Sequence, residues 1–165
     1  MTQSQILLAK SLEAADLRLS VDTFDDRLIL QKAVYLLQSA GIRMGYRFRW
    51  YLKGPYSPDM TADAFALVGA GTGGASELTR WKLDEASVAL AGKLRTLLVR
   101  PSEGTAERAK RLELLGSFLF LLNTRQIIAN DPAMAAAILE RNGKPFSTED
   151  VTEAITELKQ HGLIT

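Results

Sequence analysis

The sequence predicts a mainly α-helical fold: a single-domain helical bundle over residues 1–165, with a small antiparallel β-ribbon and a C-terminal helix-turn-helix-like pair. Three observations predict it. Apolar residues recur at helical spacing through most of the chain. Capping residues mark the start of several of these segments. Residues 46–53 and 77–83 instead alternate with the two-residue period of strands, and we expect them to form the ribbon.

Composition excludes several kinds of chemistry. The 165 residues include no cysteine and one histidine, which excludes a thiol nucleophile, a Cys/His zinc site and a histidine-based triad. The net charge of +1 indicates no global attraction to nucleic acid. No apolar run is long enough to span a bilayer, the first residues lack the pattern of a signal peptide, and a cysteine-free chain suits the cytoplasm.

Helical spacing predicts seven helices. The expected ranges are 3–19, 25–40, 58 to the glycines at 69, 85–99, 105–122, 133–142 and 147–161. Ser57-Pro58 and Asp131-Pro132 pair an N-cap with proline at the first helical position, whereas Asp22 or Thr23 is expected to cap the second helix. The stretch 69–76, GAGTGGAS, is predicted to be a flexible connection, because it lacks the lysine of a phosphate-binding loop.

The 46–53 strand carries the most informative pattern. Basic residues alternate there with aromatic ones: Arg43, Arg47, Arg49 and Lys53 among Tyr46, Phe48, Trp50, Tyr51 and Tyr56. One interpretation is an amphipathic strand whose aromatic side chains face the core and whose arginines are solvated. A second is a partner-binding surface, since arginine and aromatic residues are enriched at interface hot spots. A third is stacking on single-stranded nucleic acid.

Other charged residues have simpler explanations. The pairs Asp25/Asp26 and Asp59/Asp63 have a spacing that suits Mg²⁺ binding or acid–base catalysis, but we expect them to stabilise helix N-termini. His161 precedes a glycine in the last turn of the last helix, so we expect it to interact with that C-terminus rather than act as a base.

The helix-turn-helix-like pair raises the question of DNA recognition. Its second helix carries several acidic residues and a single lysine, Lys159, within 147–160. Phosphates would be repelled by such a surface, so we expect the pair to serve in core packing or oligomer contact. The sequence leaves the oligomeric state open.

Two motifs in the first third of the chain resemble a known family. The helix reads LILQKAVYLLQ (28–38), and the segment after it reads YRFRWYLKGPYSPDM (46–60). Together they resemble the SocA-like antitoxin superfamily, also called the Panacea domain, and in particular a compact branch of bacterial proteins. The later stretches ELLGSFLFLL and KPFSTEDVTEAITELKQHGLI also look like that branch. The resemblance implies a helix-rich fold and a place in toxin–antitoxin systems or phage defence, where relatives bind a toxin protein directly and one serves as a proteolysis adaptor.

We therefore expect a non-enzymatic bacterial protein that masks a protein partner, with no catalytic residue, metal or cofactor and no membrane association. A nucleic-acid-binding regulator and a proteolysis adaptor are the alternatives. The candidate partner-binding residues are Arg43, Arg47, Arg49, Tyr51, Lys53, Tyr56 and Asp59. The motif residues expected to serve structure are Gln31, Lys32, Tyr35, Trp50, Gly54, Pro55, Ser57 and Pro58. Among these, Gln31 is predicted to bond the backbone of the Gly54-Pro55 turn.

Overall fold

The computed structural model describes all 165 residues and shows a mainly helical chain with one two-stranded antiparallel sheet. The helices are α1 (Gln3–Ala14), α2 (Phe24–Ser39), α3 (Pro58–Gly69), α4 (Gly71–Leu78), α5 (Glu85–Leu98), α6 (Thr105–Asn123), α7 (Pro132–Arg141) and α8 (Thr148–Gln160). The strands are β1 (Arg49–Tyr51) and β2 (Gly54–Tyr56). The predicted fold class is confirmed, and so are the positions of the C-terminal pair α7–α8.

Helices α2 and α6 pack against each other at the centre of the molecule. Both are buried over most of their circumference, and Leu36, Leu37 and Phe118 have no solvent exposure. Helices α1 and α5 pack against each other beside α2, while α7 and α8 pack together with α8 against α6. Strand β2 lies on both central helices. The ribbon is thereby attached to the core through β2.

The helix starts follow from local capping chemistry. Ser57, Asp84, Asp131 and Ser147 each accept a hydrogen bond from a backbone N–H in the first turn of the helix that follows. Of the two candidates for α2, Thr23 is the N-cap, and its hydroxyl accepts from the Asp26 N–H at 3.1 Å. These side chains satisfy backbone donors that have no partner within the helix.

The prediction that residues 77–83 form the second strand is wrong. Strand β1 pairs instead with β2, which follows it after only two residues, with Tyr51 opposite Gly54 and Trp50 opposite Pro55. Proline was expected to end the strand because it lacks an N–H donor. In a two-stranded ribbon every strand is an edge, however, so a missing donor is tolerated. Residues 77–78 end α4, and 79–84 form a turn and a connection.

Two other predicted boundaries need correction. The stretch 69–76 is mostly helical rather than flexible: α3 ends at Gly69, Gly71 breaks the path with a positive φ of 57°, and α4 begins there. Gly74 allows this helix to lie against Ala70 and the Met1 side chain, so packing overrides low helix propensity. The first helix ends at Ala14 and not near Ser20, because Asp16 adopts a left-handed φ of 57°.

No helix is both long enough and apolar enough to cross a membrane. The histidine and carboxylate side chains form no cluster of three or more that has the arrangement of a metal site.

Candidate functional site on the basic-aromatic hairpin

The segment that leads into the hairpin is extended, and its side chains alternate between core and solvent. Tyr46 is buried, Phe48 and Trp50 are half-buried, and Arg47 and Arg49 between them are exposed. This alternation confirms the predicted amphipathic pattern, although only the last three residues of it, β1, pair with another strand. The aromatic side chains therefore serve the core, and the arginines are left to solvent.

The inward aromatic rings form a continuous cluster with helix residues. Tyr35 lies edge-on to Phe48 with ring centroids 5.3 Å apart, and Phe120 contacts both Tyr35 at 5.8 Å and Trp50 at 5.7 Å. Burial raises the pKa of the Tyr35 hydroxyl, which accepts a hydrogen bond from the Asn123 amide. The expectation that Tyr35 and Trp50 are structural anchors agrees with this packing.

Two glutamines of α2 hold the segment at both ends. The Gln31 amide donates to the Ser57 carbonyl at 3.0 Å and accepts from the Ser57 N–H at 2.9 Å. Seven residues later, Gln38 makes the same pair of bonds with Tyr46, at 2.9 and 3.0 Å. The predicted partner of Gln31 was the Gly54-Pro55 turn. The partner is instead Ser57, because it is Lys32 that reaches the turn.

Beneath the hairpin lie two buried lysines and one carboxylate. The Lys32 ammonium donates to the Pro55 carbonyl at 2.6 Å. Lys144, from the loop between α7 and α8, donates to the Leu52 carbonyl and to Glu113 at 3.0 Å, and lies 5.7 Å from the centre of the Trp50 ring. Each lysine is only 1% exposed. Both ends of the hairpin turn are therefore fixed through backbone carbonyls.

The surroundings of Lys32 disfavour its charge. Burial lowers the pKa of Lys32 to about 7; the carboxylate of Glu113 opposes this shift, and the positive charge of Lys144 adds to it. The Lys32 methylenes lie against Gly116, where a Cβ atom would be 3.3 Å from Cδ. Gly54 has a φ of 94°, and a Cβ there would meet the Ser117 hydroxyl at 2.4 Å. Glycine is thus required at Gly54 for both conformation and space.

Most of the candidate partner-binding side chains make no hydrogen bond or ion pair within the chain; the exception is Tyr56, whose hydroxyl accepts from the Thr61 hydroxyl. Arg43, Arg47, Arg49 and Lys53 are exposed, and their side chains make no hydrogen bond or ion pair within the chain. Tyr51 is 58% exposed, with its ring centroid 5.4 Å from that of half-buried Tyr56. Asp59 is exposed in the first turn of α3, and its negative charge contributes, after burial, to the raised pKa of Tyr46.

The remaining predicted charged residues lie at helix ends or have structural partners, and Asp25 lies in the first turn of α2, as expected. Asp26 belongs to the α2 capping box, as expected. Asp63 does not stabilise a first turn as predicted: it lies further along α3 and accepts from the Tyr46 hydroxyl at 2.8 Å and from Gln5 at 3.0 Å. Burial, and then Asp63, raise the pKa of Tyr46. His161 caps α8 as expected, with Nδ1 2.8 Å from the Glu157 carbonyl.

Sequence reasoning missed the residues that turn the hairpin surface into a groove. Phe24 is 58% exposed at the start of α2, Leu52 is 76% exposed at the hairpin tip, and Arg27 lines the same groove. Two signals in the sequence could have indicated these exposed apolar side chains. Phe24 comes directly after the N-cap of α2, and Leu52 lies at a turn, where polar residues are expected. Nothing in the sequence marks Lys144 as buried.

Comparisons with protein-family models, with curated proteins and with solved structures found no match for this chain. The resemblance to the SocA-like antitoxins therefore stays a prediction from the two motifs. The structure explains those motifs as parts that hold the hairpin against α2.

Proposed function

We propose that this chain is a non-enzymatic bacterial protein-binding module of the cytoplasm, an antitoxin-like regulator that masks a partner protein. The observation that supports the proposal is the exposed hairpin surface. Four basic side chains and two large apolar ones, Tyr51 and Leu52, lie on one short segment, and none of the basic ones contributes a hydrogen bond or ion pair to the fold. Such unused arginine and aromatic side chains are characteristic of interface hot spots.

The rigidity of this surface supports the same proposal. Gln31, Lys32, Gln38 and Lys144 fix the hairpin through its backbone, so the backbone that carries the exposed side chains has little conformational freedom left to lose. A preorganised surface loses less entropy when it binds a partner. The partner would be covered by the basic hairpin and by the start of α3.

A nucleic-acid-binding regulator is the second candidate, because exposed arginines beside Tyr51 also suit stacking with a single strand. The modest net charge of +1 argues against it as a general property. The two candidates differ in their dependence on salt, since contacts with phosphates weaken steeply as salt rises.

The test is capture of partners by the tagged protein from an extract of its native cells, at low and high salt and with a nuclease control. We expect one stoichiometric protein that survives nuclease and binds the purified chain directly. Recovery of nucleic acid alone, lost at high salt, would favour the regulator. A bound partner that is handed to a protease would indicate the adaptor.

Charge reversal then locates the surface. Arg47→Glu with Arg49→Glu should abolish capture and change the free energy of unfolding by no more than about 0.5 kcal/mol, because both side chains are exposed and unpaired. Arg80→Glu with Lys82→Glu, an equal reversal on the connection before α5, is the matched control and should retain capture. Loss of stability in the first variant would show that the arginines serve the fold.

A further inference from the structure

A groove lies between the hairpin tip and the start of α2. It encloses a cavity of about 310 Å³, with Leu28 at its base and Phe24, Tyr51, Leu52 and Tyr56 around it. Three of these side chains, Phe24, Tyr51 and Leu52, are more than half exposed. Large apolar side chains that surround a concavity in this way are typical of binding sites rather than of ordinary surface.

The charges of the groove have one sign. Arg27, Lys32 and Lys53 line it, and no carboxylate does. Asp25 and Asp26 follow Phe24 in the sequence, but neither lines the groove, and the Asp26 carboxylate accepts from Thr23 and Ser20. Lys53 has no partner, and the one hydrogen bond of the Arg27 side chain goes to the Val21 carbonyl. A ligand with negative charge would therefore complement the rim.

We propose that the groove takes one aromatic side chain of a partner protein, from a segment whose neighbouring residues are acidic. The inference rests on the proposed function and specifies the partner's chemistry. The ring would fill the apolar cavity against the tilted pair Tyr51 and Tyr56, whose planes meet at 36°. The flanking carboxylates would lie beside Lys53 and Arg27 at the rim. An apolar anchor inside a polar rim is the usual arrangement of a protein interface.

The first experiment uses a minimal probe, the peptide acetyl-Glu-Glu-Phe-Glu-Glu-amide, titrated into the ¹⁵N-labelled full chain. We expect amide shifts confined to the surroundings of Phe24, Leu28 and the hairpin tip. A peptide with lysine for each glutamate, and one with alanine for phenylalanine, should each bind at least about tenfold more weakly. Equal binding by all three peptides, or shifts elsewhere on the protein, would overturn the inference.

Variants of the protein provide the matched comparison. Lys53→Glu should weaken the probe at least about tenfold and leave the thermal midpoint unchanged, because Lys53 is exposed and unpaired. Lys82→Glu changes the net charge equally, lies outside the groove and should bind the probe as the parent does. Equal weakening in both variants would mean that the probe responds only to overall charge, which contradicts the inference.

Competition separates this inference from the proposed function. The probe should displace a captured partner from the groove. Suppose that the captured partner requires Arg47 and Arg49, is not displaced by the probe and binds the Lys53→Glu variant normally. This result would overturn the aromatic anchor and leave the protein-binding function intact. If phenylacetate alone occupies the groove as tightly as the peptide, the site is one for small aromatic acids and the inference fails. If neither a partner nor the probe binds, both proposals fail.

Discussion

Lys32 shows how one side chain can serve the structure at an electrostatic cost. Its ammonium group donates to the Pro55 carbonyl, yet it shares the partly buried carboxylate of Glu113 with Lys144, so two cations face one anion. A buried charge that is incompletely paired destabilises the folded state. The hydrogen bond fixes the hairpin, and the pKa of about 7 reflects the free energy needed to keep the charged ammonium group buried.

That cost predicts a dependence of stability on pH. The pKa of Lys32 is about 7 in the folded chain and 10.5 ordinarily, so between these values the unfolded chain binds more protons. The free energy of unfolding should therefore rise with pH, by roughly 2 kcal/mol between about pH 7 and about pH 9. Urea unfolding at these two values measures the change. A higher pH would not isolate the effect of Lys32. The pKa of buried Tyr46 is raised in the folded chain, so its phenol ionises first in the unfolded chain, and this lowers the free energy of unfolding as pH rises further.

Lys32→Met is the control for this prediction. It keeps a side chain of similar length without a titrating group, so the rise with pH should largely disappear. The variant also leaves the Pro55 carbonyl without its donor, but this loss does not depend on pH and so does not affect the slope. An identical slope in both proteins would show that another group titrates.

For individual residues, the features that could be predicted were those that depend on chemistry local in the sequence. Ser57 and Pro58 were recognisable as a helix start because a cap and its helix are adjacent. The partner of Gln31 was missed by two residues, and Lys144 was missed entirely. A lysine at a turn is normally solvated, and its burial here depends on Glu113 and Trp50, which are distant in sequence.

Among the elements, α2 does most to position the hairpin. Gln31 and Gln38 lie seven residues apart, two helical turns, and so project from the same side of α2. Each satisfies both the donor and the acceptor of one backbone residue, Ser57 or Tyr46. The distance along the helix therefore sets the separation of the two ends of the hairpin segment.

Removal of one of these glutamines should be costly. Gln31→Ala leaves the buried N–H of Ser57 without a partner, while the Ser57 carbonyl keeps the bond from the Thr61 N–H, and we expect a loss of about 1–3 kcal/mol in the free energy of unfolding. Gln126→Ala, at an exposed glutamine that bonds only the Thr124 hydroxyl, should change it by no more than about 0.5 kcal/mol. Chemical denaturation measures both. A small loss for Gln31→Ala would mean that water replaces the amide.

The helices were predictable where capping residues coincided with apolar periodicity, as in α2, α5 and α8. The ribbon was only half predictable. The period of two identified the first strand, but the pairing depends on how a two-residue turn and the positive φ of Gly54 return the chain, and on the core that β2 covers. Those interactions are tertiary and leave no periodic signal.

Across the whole molecule, charged side chains fall into two groups. Near the ends of α5 and α8 they are paired: Arg111 contacts Glu103 at 2.6 Å and donates to the Leu97 carbonyl, and Arg100 pairs with Glu157. The hydrogen bond from Arg111 lowers the pKa of Glu103. The basic side chains of the hairpin surface lack such partners. Ion pairs thus link the helices near the ends of α5 and α8, whereas the basic side chains of the hairpin surface remain unpaired.

Stability should also be unevenly distributed. Helix α4 buries only Gly74 and has no side-chain cap, whereas α2 and α6 form the centre of the core. Regions with few buried apolar contacts open at lower free energy. In native-state hydrogen exchange, α4 amides should exchange first and those of α2 and α6 last. Protection of α4 equal to that of α6 would contradict this order and indicate that the molecule opens only as one unit.

The bonds that fix the hairpin go to its backbone and not to its outward side chains. Gln31, Lys32, Gln38 and Lys144 all bind main-chain atoms of the 46–57 segment, and every residue type supplies a carbonyl oxygen. The outward side chains at 47, 49, 51, 52 and 53 are therefore free to vary without loss of the bonds that hold the loop. Under the proposed function, substitutions at the tip can therefore change which partner is bound while the backbone that presents them stays the same.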